Sequence, residues 1–125
     1  MKLTNKHYGI IIAALVTAIL HLAAAFDKAL FPDSPDPLFI INGLGYLGLL
    51  GAYFLPIPFF QGRHNLVRQG FIGFAILTIA AWIFIWVIQY VLIQGVPFFS
   101  HDSIYGVPAK IAEVALIFLL RSDKQ

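Results

Sequence analysis

Cysteine is absent from the 125 residues, which excludes disulfides, thiolate catalysis and cysteine-ligated metal. Charge is scarce as well. Only 11% of the residues are Asp, Glu, Lys or Arg, against roughly 25% in an ordinary soluble domain. The formal net charge of +2 is small and scattered, with no clustered basic face of the kind that binds nucleic acid. Also missing are an H-E-x-x-H sequence, clustered carboxylates, a serine-centred nucleophile elbow and a phosphate loop. No catalytic residue and no metal site is assigned, and the expectation is a protein that is not an enzyme.

What fills the chain is apolar. Hydrophobic residues make up 60% and the mean hydropathy is +0.86. Three runs, Tyr8 to Phe26, Pro37 to Gly62 and Gln69 to Ser100, contain no Asp, Glu, Lys or Arg, and a membrane-crossing helix needs only about 20 apolar residues. A fourth run, Ile104 to Leu120, is interrupted by Lys110 and Glu113. The fold expected is all-α integral membrane: four transmembrane helices in an antiparallel bundle, over about 8–26, 38–60, 67–93 and 104–120, in one domain covering 1–125.

Lys2 and Lys6 before the first run, and the small residues Ala23, Ala24 and Ala25 near its end, resemble a secretory signal. The uncharged run is 19 residues long, however, and a signal core is about 7–15, so the segment is read as the first span. The stretch from Asp27 to Pro37 holds three prolines and three aspartates and cannot continue a helix through lipid. Pro56 and Pro58 kink or end the second span, and the short turn at 61–66 makes spans two and three antiparallel neighbours. The segment from Val96 to Gly106 mixes aromatics with turn formers and is expected at headgroup level.

Orientation follows from the cations. Lys2, Lys6, Arg63, Arg68, Arg121 and Lys124 fall on one side, and Lys28 alone falls on the other with Asp27, Asp33, Asp36 and Asp102. The positive-inside rule then places both termini in the cytoplasm of a cell with this protein in its cytoplasmic (inner) membrane.

Gly43-Leu44-Gly45-Tyr46-Leu47-Gly48 spells G-x-G-x-x-G, but the dinucleotide fingerprint needs a strand before it and an acidic residue about 20 positions later. The stripe is instead read as helix packing. Gly45, Gly48, Gly51 and Ala52 on span two, and Gly70 and Gly73 on span three, would let neighbouring backbones approach closely.

The polar residues sort by depth. At 1.5 Å per residue from the outer helix ends, His21, Asn42, Gln89, Lys110 and Glu113 lie about 6–13 Å down. Thr17 falls near the depth of Glu113, and the inner half offers little beyond Thr78. Thr17 with His21, and Lys110 with Glu113, share helix faces. One reading is a structural polar layer in which Glu113 pairs with Lys110 or His21; another is a proton, ion or small-ligand site open to the outside.

His21 has a separate reading as an axial ligand of a haem or a chlorophyll-type pigment, with His101 the only second imidazole at suitable depth for haem. Trp82, Phe84, Trp86 and Tyr90 are read first as an interfacial aromatic belt, and otherwise as a partner interface or the wall of a quinone or pigment pocket. His7 and His64 are expected at the boundary, solvated and without a role.

Ile41 to Gly48, Arg63-His64-Asn65-Leu66-Val67-Arg68 and His21 late in span one resemble an uncharacterised family of short four-span prokaryotic membrane proteins. The resemblance covers the first three spans. It implies a topology and no activity, and no functional residue comes with it.

The function expected is that of a small accessory or scaffold subunit of a membrane assembly, with an energy-converting complex, respiratory or photosynthetic, as the first to examine. Its partners would be the lipid bilayer and other membrane subunits, or further copies of itself. The alternatives are a small homo-oligomeric transporter or channel working through Glu113 and Lys110, and a haem-, pigment- or quinone-binding protein working through His21.

Overall fold

A computed structural model describes residues 3–98 and 101–123. Among them there are four α-helices and no strand: α1 (Asn5–Ala25), α2 (Pro37–Phe54), α3 (His64–Trp82) and α4 (His101–Ser122). A 3-10 turn, Pro58–Phe60, precedes α3, and α3 continues into a π-helical segment, Ile83–Ile93. Phe99, Ser100, Lys2, Lys124 and the side chains of His101, Asp102 and Ser103, which entered the loop, haem and orientation arguments, lie outside the described residues.

Local chemistry sets the ends. Thr4 caps α1 by accepting from the His7 backbone N–H at 3.4 Å, while His7 Nδ1 accepts from the Thr4 N–H at 3.1 Å. This is the reciprocal arrangement of a capping box, with histidine in the glutamate position, and it starts α1 three residues before the expected Tyr8. Asp36 caps α2 through Phe39 N at 3.2 Å, and Pro37 takes the first helical position, where its missing N–H costs nothing. The end of α2 at Phe54, rather than the expected Phe60, follows from Pro56 and Pro58, which cannot donate and clash with the preceding turn. The chain then turns through Gly62, whose φ of +77° only glycine adopts freely.

α4 starts at His101, before the expected Ile104, and carries Pro108 in its interior. Nothing in the composition of Ile83–Ile93 marks the change from α to π. Asn5–Ala25, Pro37–Phe54 and His64–Ile93, of 21, 18 and 30 residues, are long and apolar enough to cross a membrane. α4 matches them in length, at 22 residues, but contains Lys110 and Glu113.

α1 packs on α2 and α4, and α3 packs on α4 and α2. The shared core is Ile10, Ala14, Ala18, Tyr46, Phe71, Ala75, Leu116 and Leu120, all fully buried. Alanines on α1 bring its backbone close to α2. A Cβ on Gly43 would lie 3.0 Å from the Ala18 carbonyl oxygen and 2.7 Å from Leu22 Cγ.

The outward faces are apolar too: Ile12, Ile19, Leu77, Leu92 and Phe118 are all more than 60% exposed. A surface of that composition is matched to hydrocarbon rather than to water.

The glycine stripe is redistributed. Gly45 does meet a neighbour, since a Cβ there would sit 2.6 Å from Phe74 Cζ. Gly48, Gly70 and Gly73 have nothing within 4 Å, and Gly51 has only ordinary contact with Leu55 of its own chain segment. Close packing falls instead at Gly43, at Gly9 against Leu119 and at Gly106 against Trp82. With Ala52, the expected packing residues Gly45, Gly48 and Gly70 line an open apolar groove of about 520 Å³ between α2 and α3. Apart from Gly45, the small residues thus border a gap between the two helices instead of a close contact.

Candidate functional site

Glu113 is the centre of the polar interior. It is fully buried in α4, and its two oxygens are taken by different groups. Lys110, one helical turn earlier, places its Nζ 2.6 Å from Oε1, and Tyr46 of α2 donates its phenolic hydroxyl to Oε2. A desolvated carboxylate is tolerated when a counter-charge and further hydrogen bonds meet its lone pairs together.

His21 stands beside this group. Its Nδ1 donates to the Thr17 carbonyl at 2.7 Å and lies 3.3 Å from Thr17 Oγ1, as the four-residue spacing implies. The ring packs between Phe39 and Tyr46, with centroids 5.9 Å from each. Tyr46, not His21, is therefore the second partner of Glu113. A proton on Nδ1 leaves Nε2 with the lone pair a metal or pigment would need. His21 nevertheless lines neither the groove between α2 and α3 nor the one lined by Trp82, Lys110 and Val114.

Asn42 pairs with Thr78 of α3, Nδ2 to Oγ1 at 3.2 Å. Thr78, expected in the inner half, is thus at the level of the outer residues and ties α2 to α3. Gln89 does not join the cluster. It sits exposed on the π segment, because the wider turn rotates residues beyond Trp82 away from the register that straight α-helical counting gives. The polar layer consequently brings together His21, Lys110 and Glu113 around Tyr46, adjoins the Asn42–Thr78 pair through the contact of Thr78 with the Tyr46 hydroxyl, and leaves Gln89 out.

A second polar cluster occupies the end where α1 begins and α4 finishes, a place expected to hold little. Asp123 follows α4 directly and is 8% exposed. His7 Nε2 approaches its two oxygens at 3.1 and 3.2 Å, and the Tyr53 hydroxyl donates to Oδ2. Arg68, also buried, donates to the Leu120 carbonyl at 3.2 Å and to Asn65 Oδ1 at 2.6 Å, so a cation joins the Asp123 N–H on a carbonyl at the helix C-terminus. His64 lies against Tyr53 with ring centroids 4.3 Å apart. His7 is 6% exposed, which overturns its expected solvated position; His64 is half-buried with its Nε2 atom enclosed.

The sequence signal for both clusters was Tyr46 and Tyr53. They are seven positions apart on α2, hence on one face, and a tyrosine inside an apolar span requires a partner for its hydroxyl.

Among the described residues, no three His, Cys, Asp or Glu side chains gather as a metal-binding group. Comparison with protein-family models, curated proteins and solved structures finds no match. The functional reading therefore rests on this geometry.

Proposed function

We propose that the protein is a four-span antiparallel helical bundle of the cytoplasmic membrane that serves as a scaffold or accessory subunit in a larger membrane assembly. The observation that carries this reading is the saturation of the buried carboxylates. Glu113 and Asp123 each accept from groups on α2, and Asp123 accepts from α1 as well, which is the arrangement of interhelical fastening. An ion path needs groups that exchange partners with water or with the ion; Glu113 is fully buried and doubly engaged.

The partner-facing surface, on this reading, is the π segment. Its main packing is with α3, from which it grows, and it presents Phe84, Ile85, Leu92 and Ile93 outward. Trp86 is buried there, its indole N–H without a hydrogen-bond partner among the described residues. π-helical turns recur at functional positions because they re-aim side chains.

Purification of a tagged chain in mild detergent, followed by native mass spectrometry, tests the proposal. Stoichiometric co-purifying membrane proteins, lost on Phe84→Ala with Ile85→Ala, are expected. A bare homo-oligomer giving an ion flux in proteoliposomes that Glu113→Gln abolishes would instead establish the transporter reading.

A further inference from the structure

The four helices are not held together in the same way. α1 and α2 meet through apolar side chains and a close backbone approach at Gly43, and α2 and α3 add one neutral pair, Asn42 with Thr78. The charged interhelical hydrogen bonds among the described residues all involve α4 or Asp123 just beyond it. Glu113 accepts from Tyr46, Asp123 accepts from Tyr53, and the Ser122 and Leu120 carbonyls accept from Lys6 and Arg68. His7 also reaches Asp123, and Tyr105 of α4 donates to Asp27.

α4 is also the helix least matched to lipid. Length and composition suit the other three for crossing a membrane, whereas α4 carries Lys110 and Glu113 near its middle and Pro108 in its interior. Charged residues near the centre of a span oppose its insertion. Pro108 cannot donate to the carbonyl four positions earlier, and a backbone group left unbonded in hydrocarbon adds to the cost. Lys110 supplies a counter-charge within the helix, 2.6 Å from Oε1. The other carboxylate oxygen, Oε2, is met from α2, by Tyr46.

We propose that α4 is a companion-dependent span, held across the bilayer because Tyr46 and Tyr53 of α2 receive its two carboxylates. Without them α4 stays on the outer side and the C-terminus is left outside. This dependence rests on the four-span reading, in which α3 carries the chain outward and α4 returns it.

The chain has no cysteine, so single reporters are available in the full-length protein: Ser34→Cys in the loop before α2, and a cysteine appended after Gln125. With an impermeant maleimide added to intact cells, Ser34→Cys should label and the appended cysteine should label only after permeabilisation. Tyr46→Phe with Tyr53→Phe should raise outside labelling of the appended cysteine about tenfold, the worth of one hydrogen bond to a charged group, in chains that still resist carbonate extraction. Adding Lys110→Met and Glu113→Gln to that chain removes the charges that need a companion and should return the labelling to the parent level. An appended cysteine that stays protected in the tyrosine variant, or a rise that the charge removal does not reverse, would overturn the dependence while Ser34→Cys still labels. A parent chain extracted by carbonate, or Ser34→Cys unlabelled from outside, would overturn the four-span reading and the dependence together.

Discussion

Two tyrosine–carboxylate bonds join α2 to α4, and they are built for different surroundings. Tyr46 meets Glu113 in the middle of both helices, where the carboxylate is fully buried and its counter-charge, Lys110, comes from the same helix. Tyr53 meets Asp123 just beyond the end of α4, where the carboxylate's other partner, His7, comes from α1. The first pairing is a closed interior group whose members cannot fall back on water. The second is a clasp: it ties the start of α1 to the finish of α4, assisted by Lys6 Nζ donating to the Ser122 carbonyl at 2.8 Å. One donor–acceptor chemistry thus serves for interior specification in one place and for fastening of chain ends in the other. Depth, more than residue type, sets what each bond is worth.

The comparison is broken most directly at Glu113. Glu113→Gln keeps the shape and the tyrosine bond but strands the Lys110 charge. Removing one member of a buried pair costs about 3–5 kcal/mol, so unfolding in detergent, followed by helical circular dichroism, should shift by that order. Adding Lys110→Met to the same chain removes both charges and should recover most of the loss. A double variant no more stable than Glu113→Gln alone would show that the ion pair is not what holds this region.

The tyrosines give a smaller and sharper contrast. Tyr46→Phe deletes one of two donors to a sealed carboxylate and should cost about 1.5–3 kcal/mol, whereas Tyr53→Phe should cost about 1 kcal/mol, since the Asp123 side chain is 10% exposed where that of Glu113 is 0%. Equal losses in the two variants would erase the distinction between interior group and clasp. Asp123→Asn should act locally, with amide exchange accelerating over Leu119–Ser122 and remaining unchanged around Glu113, because helix ends open without global unfolding.

The helical character, the loop at Asp27–Pro37 and the Lys110–Glu113 pair were legible in the sequence. Each rests on short-range chemistry: uncharged runs, prolines that cannot donate, and three-residue spacing on a helix. Tyr46 as partner of Glu113, and His7 as partner of Asp123, were not legible, because those contacts span 67 and 116 positions and depend on how helices rotate against each other. Gln89 was misplaced for a related reason. A π-helical turn changes angular register, and no residue in Ile83–Ile93 announces it. His7 was read as solvated from its nearness to a chain end, although the Thr4 capping box and the returning α4 together enclose it.

The smallest effects test the corrected glycine pattern. Gly45→Ala places a methyl 2.6 Å from Phe74 Cζ, and Phe74 packs edge to face on Tyr46 at 4.9 Å, so the displacement passes to the Glu113 group. Overpacking of that kind costs about 1–3 kcal/mol, reduced by up to about 1 kcal/mol for the better helix former. Gly48→Ala meets nothing within 4 Å and should stabilise the isolated chain by about 0.5–1 kcal/mol. The two substitutions therefore differ in sign, although sequence spacing made them equivalent. Gly48→Leu extends the test to assembly, since Gly48 lines the open groove between α2 and α3. If a partner helix seats there, Gly48→Leu should leave the isolated chain at least as stable while reducing the co-purified partner; unchanged recovery of the partner would place the contact elsewhere, on the π segment.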